Sequence, residues 1–244
     1  ADKIINSLKN ENVSEKLIRK MQSSSSFSVI LNYKNDRTIF TEHVEREHNF
    51  PFDNFSTKWI YLTSMGNKWH DAYKKTVDYV KNNNIKLAFN PGSGQLKEGV
   101  ESFKNVLEVC EVLFLNKDEA IGLVGFEQKF SDDRQDYLRN MQQLITIVKN
   151  MGPKIVIITD GEKGAYLMDE RGELVTEPIK ETVVVQKTGA GDAFASGFLS
   201  AIMSGQDNNT ALKWGKENSA SVIGQTGATK GLLRKEQVES LLKS

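Results

Sequence analysis

Between Lys58 and Gly161 the sequence alternates short apolar runs with segments of helical periodicity. "KWIYLTS" (Lys58–Ser64), "IKLAFN" (Ile85–Asn90), "EVLFLN" (Glu111–Asn116) and "KIVIITDG" read as strands. Between them, Tyr73, Val77 and Val80 fall at helical spacing in "HDAYKKTVDYVKNN". "GVESFKNVLEVC" reads as a further helix, and Leu138, Met141, Leu144, Ile145 and Val148 stripe another. Such repetition builds a parallel sheet with helices on both faces, a three-layer α/β fold. "KIVIITDG" is nearly all apolar, as a strand covered on both faces must be. Ligands of such sheets bind beyond the carboxyl ends of the strands. Those ends are Ser64-Met65-Gly66, Asn90-Pro91-Gly92, Asn116 and Thr159-Asp160-Gly161.

Two regions flank the alternation. "FSVILNYKNDRTIFTEH" (Phe27–His43) places apolar and aromatic residues on either side of Lys34-Asn35-Asp36, the pattern of a β-hairpin. After Gly161 come the short candidate strands "AYLMDE", "GELVTE" and "TVVVQ", and the chain is then helical to its end. At 244 residues the chain fits one large α/β domain with a sizeable core. Lys plus Arg and Asp plus Glu both number 32, so there is no basic excess to favour nucleic acid or a membrane surface. The one cysteine, Cys110, sits in "VLEVCEVLFL" and reads as a buried structural thiol. It can form no internal disulfide, and no metal-ligand spacing occurs. No apolar run approaches the ~18 residues of a membrane span, and a cytoplasmic location is expected. His43, His48 and His70 belong to no nucleophile or metal motif, although His43 closes the hairpin within reach of a substrate. Trp59, Trp69 and Trp214 read as core or interface residues.

The stretch richest in chemistry is "VVVQKTGAGDAFASGF" (Val183–Phe198). Glycines allow backbone N–H groups to approach a ligand, and a helix start offers unpaired N–H groups with a partial positive charge. Gly189, Ala190 and Gly191 therefore read as an anion nest. Asp192 has two readings: a first-turn helix acid, or a general base beside the anion site. A base and an anion hole together are what phosphoryl transfer to a hydroxyl requires. The order is neither the GxxxxGK[ST] of a Walker A loop nor the early GxGxxG of a dinucleotide site. The small residues Ala193, Ala195, Ser196, Gly197 and Ala201 point to a closely packed helix.

"TGAGDAFASGF" resembles the C-terminal signature of the ribokinase-like (PfkB) carbohydrate kinases, usually D-T-x-G-A-G-D. Four further stretches match in order: "FNPGSG" resembles the D-P-N-x-R segment, "NKDEA" (Asn116–Ala120) the N-x-x-E motif, "IITDGEKGAY" the nucleotide-side strand and turn, and "NSASVIGQTGATKGL" the last nucleotide-site helix and loop. The hairpin at about 27–43 resembles the family's substrate lid. The likeness runs over essentially all of residues 1–244. It implies a single ribokinase-like domain that phosphorylates a hydroxymethyl group of a sugar or nucleoside, using ATP and Mg2+. By the same likeness Asp192 is the base, and the Gly189, Ala190 and Gly191 amides form the anion hole. Asn116 and Glu119 organise Mg2+, water and phosphate, although an Asn cap with an ordinary helix acid is the plain alternative. Thr159, Gly161 and Gly164 flank ATP, and Asn218 and Ser221 lie near the adenine. Asn90 and Ser93 are placed to touch phosphate or to shape a turn. Dimerisation through the lid is also implied.

The chain departs from the pattern in two places. Gln186 and Lys187 stand where the family has Asp and Thr; a neutral amide is a poorer ligand, which puts a monovalent cation in doubt. Lys187 reads as facing solvent. The family's opening strand and Gly-Gly segment, with most residues that choose the sugar, have no counterpart, so the domain is expected to be N-terminally incomplete. Both departures favour the alternative, a non-catalytic nucleotide- or sugar-binding sensor. Asp192, Asn116 and Glu119 oppose it.

Overall fold

A computed structural model describes residues 2–243 except 23, 34–35, 43, 49, 51 and 53–55. Helix α1 (Asp2–Asn10) precedes a hairpin of β1 (Phe27–Tyr33) and β2 (Asp36–Glu42). The parallel series follows: β3 (Trp59–Leu62), α2 (His70–Asn83), β4 (Lys86–Phe89), the short helices α3 (Ser93–Glu98) and α4 (Lys104–Leu107), β5 (Cys110–Asn116), α5 (Lys117–Val124), α6 (Arg134–Lys149) and β6 (Ile155–Thr159). Strands β7 (Ala165–Met168) and β8 (Leu174–Glu177) come next, then α7 (Ala190–Met203), α8 (Asn208–Ile223) and α9 (Lys235–Leu241).

The main sheet has the order β3-β4-β5-β6-β7-β8. Its first four strands are parallel, and β7 and β8 are antiparallel additions. Because the parallel strands follow one another in sequence order, right-handed crossovers put all their connecting helices on one face. Leu87, Phe89, Leu113, Leu115, Val156 and Ile158 pack there against Tyr73, Val77, Met141, Leu144 and Ile145. The opposite face must be covered by something else, and α7 and α8 cover it. Ala88, Val112, Phe114 and Ile157 meet Phe194, Phe198, Leu199 and Trp214. Successive residues of β5 and β6 thus alternate between two apolar layers, which is why both strands read as unbroken apolar runs. Helices α7 and α8 approach closely: a Cβ on Gly197 would stand 2.8 Å from the Trp214 carbonyl oxygen, and one on Gly215 2.9 Å from that of Phe194.

Two expectations change. "GVESFKNVLEVC" is not one helix. Phe103, at φ −132° and ψ 21°, breaks it into a 3-10 turn (Val100–Phe103) and α4. "TVVVQ" forms no strand, and Val183, Val184 and Val185 are exposed. Pro178 follows β8 directly and lacks the N–H that a ladder would use. The valines find no partner strand; the Val185 N–H instead donates to the Ile223 carbonyl at 2.8 Å. The hairpin forms as expected from Phe27 to Glu42, while His43 and the tip residues 34–35 lie outside the described residues. Cys110 is buried, and burial pushes its thiol pKa up. Trp69 and Trp214 are core residues and Trp59 is half-buried. Among the described residues no helix is long and apolar enough to cross a membrane.

Candidate active site

The carboxyl ends of β3 to β6 lie at one rim of the sheet. Two side-chain amides tie its loops. Gln95 is fully buried, donating to the Met65 carbonyl at 3.0 Å and accepting from the Gly92 N–H at 3.1 Å. Asn90 donates to the Phe114 carbonyl at 2.9 Å, joining the end of β4 to β5. Its side chain therefore shapes the rim. Gln95 was not foreseen; a fully buried glutamine has no signature in its own residue type.

At the end of β5, Asn116 caps α5. Its Oδ1 accepts from the Glu119 N–H at 2.8 Å, and Glu119 Oε2 accepts from the Asn116 N–H at 2.8 Å. This reciprocal capping box is what the N-x-x-E spacing builds. The alternative role as a cap is therefore realised, and it also orients the rest of the Glu119 carboxylate. Burial raises the Glu119 pKa, with Asp118 and Asp192 adding to the rise, while the bonds to Asn116 oppose it.

Asp192 thus lies within electrostatic reach of Glu119. It also raises the Tyr61 pKa, after the larger effect of burial. Asp192 occupies the first turn of α7, is exposed, and joins no ion pair among the described residues. The residue before the helix, Gly189, has φ 86°, and a Cβ there would stand 2.6 Å from the Ala228 carbonyl oxygen. Gly189 has no side chain with which to cap α7, and the Ala190 N–H makes only a long bond, to the Lys187 carbonyl at 3.4 Å, in a helix start of the kind that binds anions. Tyr61, on β3, was not singled out from the sequence, where it is one aromatic in an apolar run.

A cavity next to this turn is lined by Thr159, Gly161 and Gly164, by residues 177–180, and by Phe194, Lys216, Ser219, Ala220 and Ile223. Three of the expected nucleotide-flanking residues therefore share one hollow. Asn218 and Ser221 do not line it. Asn218 is buried; its Nδ2 donates to the Ala193 carbonyl at 2.7 Å and its Oδ1 accepts from the Leu233 N–H at 2.9 Å. Both ends of its amide are spent tying α8 to α7 and to the C-terminal loop. Helix α8 turns Ser219, Ala220 and Ile223 to the cavity instead. Two lysines on its wall are held by acids: Lys216 meets Glu177 at 2.5 Å, and Lys180 meets Glu217 at 2.5 Å.

Gln186 is also committed at both ends, accepting from the Gly227 N–H at 2.8 Å and donating to Thr188 Oγ1 at 3.2 Å. Lys187 is exposed, 3.8 Å from Glu162. Among the described residues no three His, Cys, Asp or Glu side chains gather as a metal cage. Mg2+ does not need one, since it keeps several waters and is held by one or two carboxylates together with substrate phosphates. Glu119, which gives only one carboxylate oxygen to the cap, fits that use, whereas the Asn116 side-chain oxygen already accepts from the Glu119 N–H.

The sequence matches the pfkB family carbohydrate kinase pattern over residues 1–235. Among curated proteins it is 23% identical over 174 residues to 5-dehydro-2-deoxygluconokinase of Bacillus subtilis, covering 71% of this chain and 52% of that protein. It is 30% identical over 155 residues to cytidine kinase of Thermococcus kodakarensis, covering 63% of this chain and 51% of that one. The chain spans about half the length of the curated relatives it matches. Its fold is that of ribokinase from Thermotoga maritima, with a TM-score of 0.77 at 19% identity, covering 100% of this chain and 77% of that one. The family match over nearly all its length, on a fold shared with ribokinase, means that the chain belongs to the pfkB family of carbohydrate kinases.

Proposed function

We propose that this chain transfers the γ-phosphoryl group of ATP to a hydroxymethyl group of a sugar or nucleoside. The observation that carries the reading is Asp192: an exposed carboxylate in the first turn of α7, in no ion pair among the described residues, near enough to help raise the Glu119 pKa and two residues before Phe194 of the Thr159–Gly164 cavity wall. The cavity is assigned to the nucleotide. Asp192 takes the proton of the acceptor hydroxyl, whose oxygen bonds to the γ-phosphorus. The bond from that phosphorus to the β–γ bridging oxygen breaks, and ADP leaves. The Gly189–Gly191 segment offers its N–H groups to the phosphoryl oxygens as charge shifts. Bound Mg2+ would neutralise phosphate charge beside Glu119. The names of the relatives, kinases for a sugar acid and for cytidine, support the acceptor class without choosing within it. Self-association through the β1–β2 hairpin belongs to the same proposal.

The test is ADP release from Mg-ATP across a panel of ribose, fructose, sugar phosphates and nucleosides. Activity with one acceptor is expected. Asp192→Asn should lower kcat by about 100- to 10,000-fold and leave Mg-ATP binding intact. Full activity in that variant would overturn the assignment. Nucleotide binding without turnover on any acceptor would favour a sensor.

A further inference from the structure

The ladder between β5 and β6 ends at the pair Asn116 and Thr159. One residue beyond it on each strand, the connection continues through side chains. Lys117 Nζ donates to Asp160 Oδ2 at 2.7 Å, and the two side chains are only 21% and 16% exposed. The Tyr137 hydroxyl donates to the same oxygen. The Lys117 ammonium lies 5.2 Å from the Phe130 ring centroid and 5.6 Å from that of Tyr137. Well-shielded pairs of this kind resist screening by salt and hold one geometry better than surface pairs.

The position of the pair gives it more than a packing role. Lys117 follows Asn116 and opens the helix whose cap aims Glu119. Asp160 follows Thr159 and holds the turn of the cavity by its own backbone: its N–H donates to the Gly164 carbonyl at 2.8 Å, and its carbonyl accepts from the Lys163 N–H at 2.8 Å. One residue therefore fixes the 160–164 turn and, through its carboxylate, grips the start of α5. A ligand that presses on this turn displaces a group bonded to Lys117. We propose that Asp160 is a positioning residue that, through Lys117, transmits occupation of the nucleotide cavity to the Asn116–Glu119 cap. The inference rests on the assignment of that cavity to the nucleotide.

Amide hydrogen exchange with and without Mg-ATP tests it, alongside calorimetric affinity. In the wild type, nucleotide should slow exchange both at residues 161–165 and at 117–120. In Asp160→Asn and in Lys117→Met, the slowing at 161–165 should persist, while that at 117–120 falls by at least about fivefold. The double variant should do no worse than either single one, because both break the same link. Asp160→Glu, which keeps the charge, should recover part of the transfer. A pair that only glued the fold together would change exchange in the free protein and leave the nucleotide-induced difference alone. If both folded variants protect 117–120 as the wild type does, the link carries nothing and the proposal falls. If Asp160→Asn fails to fold, Lys117→Met gives the same readout with the Tyr137 bond in place. A wild type unprotected at 161–165 by Mg-ATP would overturn the nucleotide cavity itself, and the coupling with it.

Discussion

Two carboxylates, one near the start of β5 and one just past its end, are given opposite duties by their environments. Glu111 is buried near the amino end, and burial alone would raise its pKa. Lys154 at 2.9 Å and Lys86 at 3.0 Å outweigh that and hold it low. A depressed carboxyl contributes stability that is present above the ordinary carboxylate range and is lost as pH falls through the folded-state value. Glu111→Gln should therefore cost about 1 to 3 kcal/mol at neutral pH, or several degrees of Tm for a chain this size. The gap to wild type should close in acid, and a gap constant with pH would contradict the ion-pair account. Glu119, past the other end, has a raised pKa, so the folded state binds the proton more tightly than the unfolded chain. Stability then falls as pH rises through that window, so loss of the proton is a burden to the fold. Glutamine also serves at the third position of a capping box. Glu119→Gln should thus melt no lower than wild type at pH 7 while phosphoryl transfer drops. A lower Tm would mean that its charge is structural.

The hairpin of β1 and β2 is a two-stranded ribbon, and such ribbons are marginal alone in water. Val29 pairs with Phe40, and Ile30 with Ile39 on the other face. Val29, Ile39 and Phe40 are 51%, 47% and 58% exposed. Sedimentation should show self-association that Val29→Glu with Phe40→Glu abolishes; a wild type monomeric at high concentration would refute the lid contact. This hairpin was legible because its apolar runs flank a polar turn. "TVVVQ" carried an equally strong β-propensity and misled, because propensity becomes a strand only where a neighbour offers a ladder. The capping box was legible from three-residue spacing. The Lys117–Asp160 pair, 43 residues apart in sequence, was not. Asn218 shows the same limit on a helix. Its neighbours Ser219 and Ala220 face the cavity, and sequence alone does not say which side of α8 is buried.

For the whole molecule, the alternation from Lys58 to Gly161 settled the layered architecture, while the helices on the second face come from a part of the chain with no strands of its own. A ligand that binds only the folded form stabilises it. At a hundred times its Kd, Mg-ATP should add about 2.7 kcal/mol, a Tm rise of roughly 5 to 10 °C for this size. No rise at saturating Mg-ATP would remove the nucleotide from the cavity. The residues lining that cavity all fall between Thr159 and Ile223. In the gene, the cavity proposed for the nucleotide is therefore one uninterrupted passage, downstream of the hairpin and of the first three strand ends. On the proposed function, a lineage can rewrite the acceptor by changes in the earlier codons and inherit the cavity unaltered.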